Sequence, residues 1–461
     1  MRLRIAVVAL AVAASAAAQT PRRQASLVVI GGTVITENSQ HQILAPGAVA
    51  IAGTNILAVD RPEAIASRYR AARTIGARGE IVLPGLINTH THAAMVMYRG
   101  LADDLALMEW LQTYIFPAEA KTVSPNLVRV GTRLAALEMI ESGTTTFTDM
   151  YYFEEEVART TRGAGLRGVL GQTLIGSPVA DARTPAEGLA RTERFLKEFA
   201  GDSLIVPAVA PHAMYTNDEA TLKAAAALAR QYQAPLIIHL AETEDEVRMA
   251  REQHQATPTG YLDAIGFWGP RTVAAHGVWM TPEDIAILKR RGVGVAHNPE
   301  SNMKLASGAA PIGAYLAAGV PVGLGTDGAA SNNDLDMFEA MRQASFLAKH
   351  AARDPRAVPA AQALEFATIG GARALGMETL IGSLEPGKRA DLITVSVASA
   401  RQTPMYDPIS HLVYVTRGDD VRNTIVNGRV LMRNRQVLTL DRVSVIAAAN
   451  QLAAAVRAAV K

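Results

Sequence analysis

The chain of 461 residues contains no cysteine. That excludes disulfides, thiolate metal ligands and a lipid-modified N-terminal cysteine, and it makes an oxidising compartment harmless. Any metal must then be held by histidine and carboxylate. An excess of charge of one sign is also missing. Of the 45 basic residues, Arg2 and Arg4 lie in a segment with the layout of an export leader; the other 43 face 43 acidic residues. Nothing electrostatic therefore favours nucleic acid or an anionic membrane. No glycine-rich phosphate loop of convincing form is present, and Gly323-Leu-Gly325 reads instead as the close approach of a strand to a site.

Residues 1–18 combine a basic start, a short apolar run and small residues at the end. This predicts a signal peptide cleaved after Ala18 and export to the periplasm. The run is shorter than the ~20 residues of a membrane span, so no membrane contact is expected once the leader is gone.

What remains is long enough for one large domain and a smaller one, and 49% hydrophobic with 19% charged residues suits a globular enzyme. Between about 80 and 330, short apolar runs alternate with helical stretches. The runs are 81–87, Thr144–Thr148, Leu166–Gly171, Leu204–Ala210, Pro235–Ile238, Thr272–Ala275, Gly292–Ala296 and Val320–Gly325. Asn126–Glu141, Pro185–Phe199, Glu219–Gln231 and Pro282–Arg291 show helical spacing. Eight such units predict an α/β fold, a (β/α)8 TIM-like barrel over 84–383. The flanks, 26–83 and 384–440, carry short β segments and the turn signals Gly31-Gly32 and Asn427-Gly428. They are expected to combine into one small β-sandwich domain, with a C-terminal helix over 441–461. Oligomeric state stays open, a homo-oligomer included.

Barrel sites gather where strands end. His90 and His92 follow the first run, at the i, i+2 spacing that puts two strand side chains on one face. Asp149 follows the second, Gln172 ends the third, His212 follows the fourth and His239 ends the fifth. His276, Asn298 and Asp327 follow the sixth, seventh and eighth. Five of the ten histidines thus stand at strand ends, which core histidines would not do repeatedly. His90, His92, His239 and Asp327 supply three nitrogens and a carboxylate, as a hydrolytic zinc site needs. Glu242, three residues after His239, is placed to shuttle a proton.

These residues lie in Pro84-Gly-Leu-Ile-Asn-Thr-His-Thr-His92, Leu107-Met-Glu-Trp110, His239-Leu-Ala-Glu242, Ala275-His-Gly277, His297-Asn-Pro-Glu-Ser-Asn302, Gly325-Thr-Asp-Gly328 and Ser331-Asn-Asn-Asp-Leu-Asp336. The set resembles the amidohydrolase superfamily, and within it the 5-methylthioadenosine/S-adenosylhomocysteine deaminases, a group that also contains the triazine hydrolases. The resemblance covers nearly the whole chain after the leader. It implies one divalent metal per chain, zinc before iron, on His90, His92, His239 and Asp327. Binuclear relatives carry a modified lysine at the end of the fourth strand; here Val209-Ala-Pro-His212 has none.

The resemblance further implies hydrolytic deamination of an adenine nucleoside: 5-methylthioadenosine, S-adenosylhomocysteine or adenosine. Hydroxide would attack the amino-bearing carbon while Glu242 protonates the adjacent ring nitrogen. Asp327 would carry a proton to the leaving ammonia, and His276 would orient the nucleophile and polarise the oxyanion. Glu109 matches a carboxylate that holds ribose hydroxyls, His212 a substrate-contacting histidine. Gln172 stands at about the point where some relatives have arginine, so a substrate ending in a carboxylate is less favoured. The alternative within the same chemistry is another amino- or chloro-heterocycle of triazine, pterin, guanine or cytosine type. A non-catalytic metal-binding protein would need neither Glu242 nor His276.

Overall fold

The computed structural model describes residues 22–460, in which eight parallel strands run in sequence order around a nearly closed barrel. They are β1 Leu86–Thr91, β2 Thr144–Tyr151, β3 Arg167–Leu174, β4 Ile205–Pro211, β5 Leu236–Leu240, β6 Thr272–His276, β7 Gly294–His297 and β8 Val322–Leu324. Helices cover the outer face, so nearly every strand residue is buried. Local sequence starts these helices. Ser124, Thr184, Asp218, Thr243 and Thr281 each accept a backbone N–H of the first turn, opening Pro125–Ser142, Pro185–Glu198, Glu219–Tyr232, Glu244–His254 and Pro282–Arg291. The expected leader, 1–18, lies outside the described residues.

Side chains join β8 to β1. Asn88 Nδ2 donates to Thr326 Oγ1 (2.8 Å), Asn88 Oδ1 accepts from Thr326 N (3.1 Å), and Asp327 N donates to His90 O (3.0 Å). Gly325 sits in this seam because a Cβ there would lie 2.3 Å from Asn298 Oδ1. The seam brings the last ligand-bearing loop against the first.

The apolar run 81–87 is not one strand. Glu80–Pro84 pairs antiparallel with Leu392–Ser396 in the flanking sheet, and β1 begins only at Leu86. Between them Gly85 packs so closely on Thr145 that a Cβ would overlap it at 2.1 Å. The two flanks meet through this pairing in a nine-stranded sheet, with Leu27, Val29, Val49, Ile51, Leu392 and Ile425 in one core. Asn427-Gly428 is the expected two-residue hairpin, both residues at positive φ (51° and 74°). Gly31-Gly32 is not a turn. It lies inside Leu27–Ile35 at a break in register, where a Cβ on Gly32 would meet Glu80 O at 2.8 Å.

Arg167, on β3, ties the flanking sheet to the barrel floor. Its Nε and Nη2 donate to the two carboxylate oxygens of Asp391 (3.0 and 3.3 Å), both side chains buried. The C-terminal helix runs Arg442–Val460 and lays Val445, Ala449 and Val456 on the barrel's outer helices, chiefly Pro125–Ser142.

Candidate active site

Three strands that deliver site residues end in residues at positive φ. Ala241 (46°), His276 (74°) and Asp327 (65°) follow or close β5, β6 and β8. Non-glycine residues hold such angles at a cost of about 1–3 kcal/mol, and they concentrate where function requires them. Asp149, at the end of β2, is a brace. Its Oδ1 accepts from Thr91 Oγ1 (2.9 Å) and Ala93 N (2.6 Å), pinning the chain on both sides of His92.

Hydrogen bonds fix the imidazoles so that they aim at one point. His92 Nδ1 faces Met150 O (2.8 Å) and His239 Nδ1 faces His212 O (2.7 Å). His276 Nδ1 faces Asn302 Oδ1 (2.8 Å). These oxygens only accept, so in all three rings Nδ1 carries a proton and Nε2 is the nitrogen turned toward the site. His90 is wholly buried and neither of its nitrogens makes a hydrogen bond of good geometry. A buried ring left that way calls for a partner the protein does not supply.

Asp327 is the point of convergence. Its Oδ1 lies 3.3 Å from His92 Nε2 and 3.5 Å from His90 Nε2, and its Oδ2 lies 4.0 Å from His276 Nε2. Donor atoms of His90, His239, His276 and Asp327 fall within 4.8 Å of one another. That tightest foursome contains His276 where the sequence reading had His92. His92 stands nearer the shared carboxylate, and we keep it in the ligand set with His276 beside it. Three nitrogens and one carboxylate fit a divalent transition metal such as zinc.

The electrostatics agree. Burial pushes His90 down to about 4 and His239 well below the usual imidazole range, so both are neutral and able to bind a cation. Burial works against Asp327, but the close approach of the His90 and His92 imidazoles outweighs it and holds the carboxyl well below its usual range. Ser301 Oγ (2.6 Å) and Ser331 Oγ (2.9 Å) also donate to its Oδ2. Glu242 is the opposite case: burial raises it, and it sits with Oε2 3.7 Å from His276 Nε2 while Ser307 Oγ donates to Oε1 (3.3 Å). A carboxyl whose affinity for a proton is raised by burial beside a cation site is suited to carry and give one.

A pocket opens over this cluster. His92, His212, His239, Glu242, His276 and Asp327 form its floor; Met95, Trp110, Leu111, Tyr151 and Tyr215 are among its walls. His212 Nδ1 lies 3.3 Å from Thr216 Oγ1, and its ring centroid is 4.6 Å from that of His239. Another carboxylate lines the wall, Glu119 of the helix Phe116–Thr122. It is buried, accepts from Tyr151 Oη (2.6 Å), and is pushed up to about 7 by its burial.

Residues 81–431 match the profile of the amidohydrolase family. The chain belongs to that family. It is 49% identical over 418 residues to 5-methylthioadenosine/S-adenosylhomocysteine deaminase of Syntrophobacter fumaroxidans, covering 91% of this chain and 95% of that one. Among solved structures it resembles a zinc-bound adenosine deaminase from Xanthomonas campestris, at TM-score 0.93 and 38% identity over 95% of this chain and all of that one. Atrazine chlorohydrolase from Arthrobacter aurescens, complexed with zinc, superposes at TM-score 0.85 and 25% identity over 93% of this chain and all of that one.

In this amidohydrolase the expected metal and proton-transfer residues His90, His92, His239, His276, Asp327 and Glu242 stand together, with His212 beside them. Two expected substrate contacts do not join them. Glu109 is exposed and absent from the pocket wall, because it points off the short helix Leu107–Glu109 whose Leu107 is the buried member. Gln172 is buried behind the wall, its amide spent on Asp181 Oδ2 (2.7 Å) and on the N–H of Glu154 (3.3 Å). Neighbouring Thr173 faces the pocket instead, since strand residues alternate in direction. The sequence reading missed Glu119 and the partners Asn302 and Ser307. For Glu119 a signal existed: it is four residues beyond Ile115, on the same buried helical face.

Proposed function

We propose that this amidohydrolase is a metal-dependent deaminase of adenine nucleosides, converting 5-methylthioadenosine, adenosine or a close analogue to the inosine form and ammonia. The observation that carries the reading is the pairing of Glu242, buried and raised beside the cation site, with Glu119 on the pocket wall. One acid serves the ring, the other serves hydroxyls. A divalent cation at the site, zinc before iron, would supply hydroxide near neutral pH by acidifying water, whose first proton makes good the one that Glu242 gives up. Glu242 gives its proton to the ring nitrogen next to the amino-bearing carbon, so that carbon accepts the nucleophile. Asp327 takes the nucleophile's proton, and His276 Nε2, with its tautomer set by Asn302, holds the attacking oxygen in line. The carbon–nitrogen bond then breaks, and the proton from Asp327 leaves with the amino group as ammonia. Glu119 accepts hydrogen bonds from the sugar hydroxyls. The names of the deaminase relatives support this reading.

Chlorotriazine hydrolysis is the second reading, on the likeness to atrazine chlorohydrolase. Glu119 weighs against it, since a triazine has no hydroxyl to occupy that carboxylate. The test is a purified-protein panel of adenosine, 5-methylthioadenosine, adenine, guanine, cytosine and a chlorotriazine, with ammonia and chloride both measured. Adenine-nucleoside deamination is the expected result, and chloride release without it overturns the reading. We also propose export to the periplasm, on the composition of residues 1–18; cell fractionation with N-terminal sequencing checks it.

A further inference from the structure

A cleft opens at the end of the barrel opposite the active site, where β5 and β6 begin. Its sides are the last turns of the helix Glu219–Tyr232 and the loop 267–271 that leads into β6. Leu236 and Thr272, paired across the two strands, form its back. His239 and His276 lie three and four residues further along these strands. At about 3.3 Å per residue, roughly 10–13 Å of barrel separates the cleft from the metal cluster.

The lining is one-sided. Two arginines, Arg230 and Arg271, stand in it with apolar residues, and no acidic residue lines it. Arg271 is the unusual one. Partly buried, it holds a left-handed backbone (φ 64°) in a loop that Thr272 Oγ1 fastens by donating to Gly269 O (2.7 Å). Its Nη1 donates to Gln233 O (2.6 Å), the carbonyl just past the helix. The other edge of the guanidinium is formed by Nε and Nη2, and Nε is buried with no acceptor. Burial alone pulls this arginine below its usual range, and among the described residues no carboxylate acts on it. The nearest acid along the chain, Asp263, is spent on Arg290 (3.3 Å) and Arg291 (2.7 Å).

A guanidinium stripped of part of its water, with no carboxylate to pair and an idle donor, is built to meet an anion. Its Nε and Nη2 point the same way, at the spacing of the two oxygens of a carboxylate. Beside it, Ala234 and Pro270 offer apolar surface over the buried Phe267 and Leu236. We propose that this cleft binds a small organic acid, its carboxylate on the Nε–Nη2 edge of Arg271 with Arg230 at the rim, and its apolar body between Ala234 and Pro270. A bare anion would leave the apolar surface wet, and an uncharged ring would leave the arginine unpaired. The far end of the barrel from Glu242 and Asp327 sets this ligand apart from the substrate.

Isothermal titration of the metal-loaded protein with benzoate, benzamide and acetate tests this. Benzoate carries both charge and ring, and should bind with a Kd below about 1 mM. Benzamide lacks the charge and acetate lacks the ring, so each should bind at least about tenfold more weakly. Arg271→Gln should weaken benzoate at least about tenfold. The charge reversal Arg230→Glu, at an exposed position, should do the same; it leaves the buried arginine in place and serves where Arg271→Gln does not fold. A carboxylate can also bind a metal in the active site, and the variants separate the two places. Parent-like benzoate affinity in either folded variant puts the acid elsewhere and overturns the proposal. Absence of saturable benzoate binding, or benzamide bound as tightly as benzoate, overturns it as well.

Discussion

Asn302 Oδ1 lies 2.8 Å from His276 Nδ1, and so decides which nitrogen of that ring faces the pocket. The carboxamide oxygen only accepts, so Nδ1 carries a proton and Nε2 is the nitrogen turned toward Glu242 and Asp327. Asn302→Leu removes the acceptor and frees the ring to take the other tautomer. A partner that orients a site imidazole is worth roughly 10–100-fold. The variant should therefore lose about that much kcat while keeping its metal. Steady-state kinetics beside elemental analysis check this, and full activity in the variant would mean that His276 is oriented by packing alone.

Glu119 and Glu109 can be separated in one experiment. Glu119 is buried on the pocket wall with Tyr151 as donor, whereas Glu109 is exposed. Bonds to a charged partner are worth about 1.5–3 kcal/mol. Glu119→Gln should consequently lower kcat/KM for adenosine by roughly ten- to a hundredfold and leave the weak rate on free adenine nearly unaltered. Glu109→Gln should change neither. The reverse pattern would return the sugar contact to Glu109.

Glu242→Gln divides chemistry from assembly. The amide keeps the shape and can still accept from Ser307, but it has no proton to give. A positioned acid contributes roughly 10²–10⁴ in rate, so kcat should fall by that factor with metal content near one ion per chain. His239→Ala should lose the ion as well. Parent-like turnover in Glu242→Gln would leave the residue a helix-opening carboxylate.

The barrel was legible because its strands are continuous apolar runs and its helices place apolar residues at helical spacing. The metal cluster was legible for a related reason: strand ends share one rim, so residues remote in sequence are neighbours by rule. Contacts made across that rule were not legible. Glu109 was drawn from a motif, but which side of a three-residue helix faces the pocket depends on the π-helical segment Trp110–Ile115 that follows. Gln172 failed by one residue of strand alternation. The division of 81–87 between two sheets turns on how closely Gly85 meets Thr145, a packing fact with no trace in hydropathy.

The remaining prediction concerns stability, and Glu37 carries it. Its side chain is buried at the edge of the flanking sheet, accepts from Thr368 Oγ1 (3.3 Å), and is pushed by burial from 4.5 up to about 7. Below pH 4.5 the folded and unfolded chains both hold the proton, and the site is without penalty. Between 4.5 and about 7 the unfolded chain ionises while the folded one stays protonated, so stability falls as pH rises. Above about 7 the folded chain carries a buried charge, and the loss is complete at roughly 3 kcal/mol by the linkage relation. Glu37→Gln keeps the volume and an acceptor for Thr368 but cannot ionise. Thermal unfolding should thus find the variant equal to the parent at pH 4 and more stable by several degrees at pH 8. A constant gap between the two proteins from pH 4 to 8 would show that burial does not raise this carboxyl in the folded state.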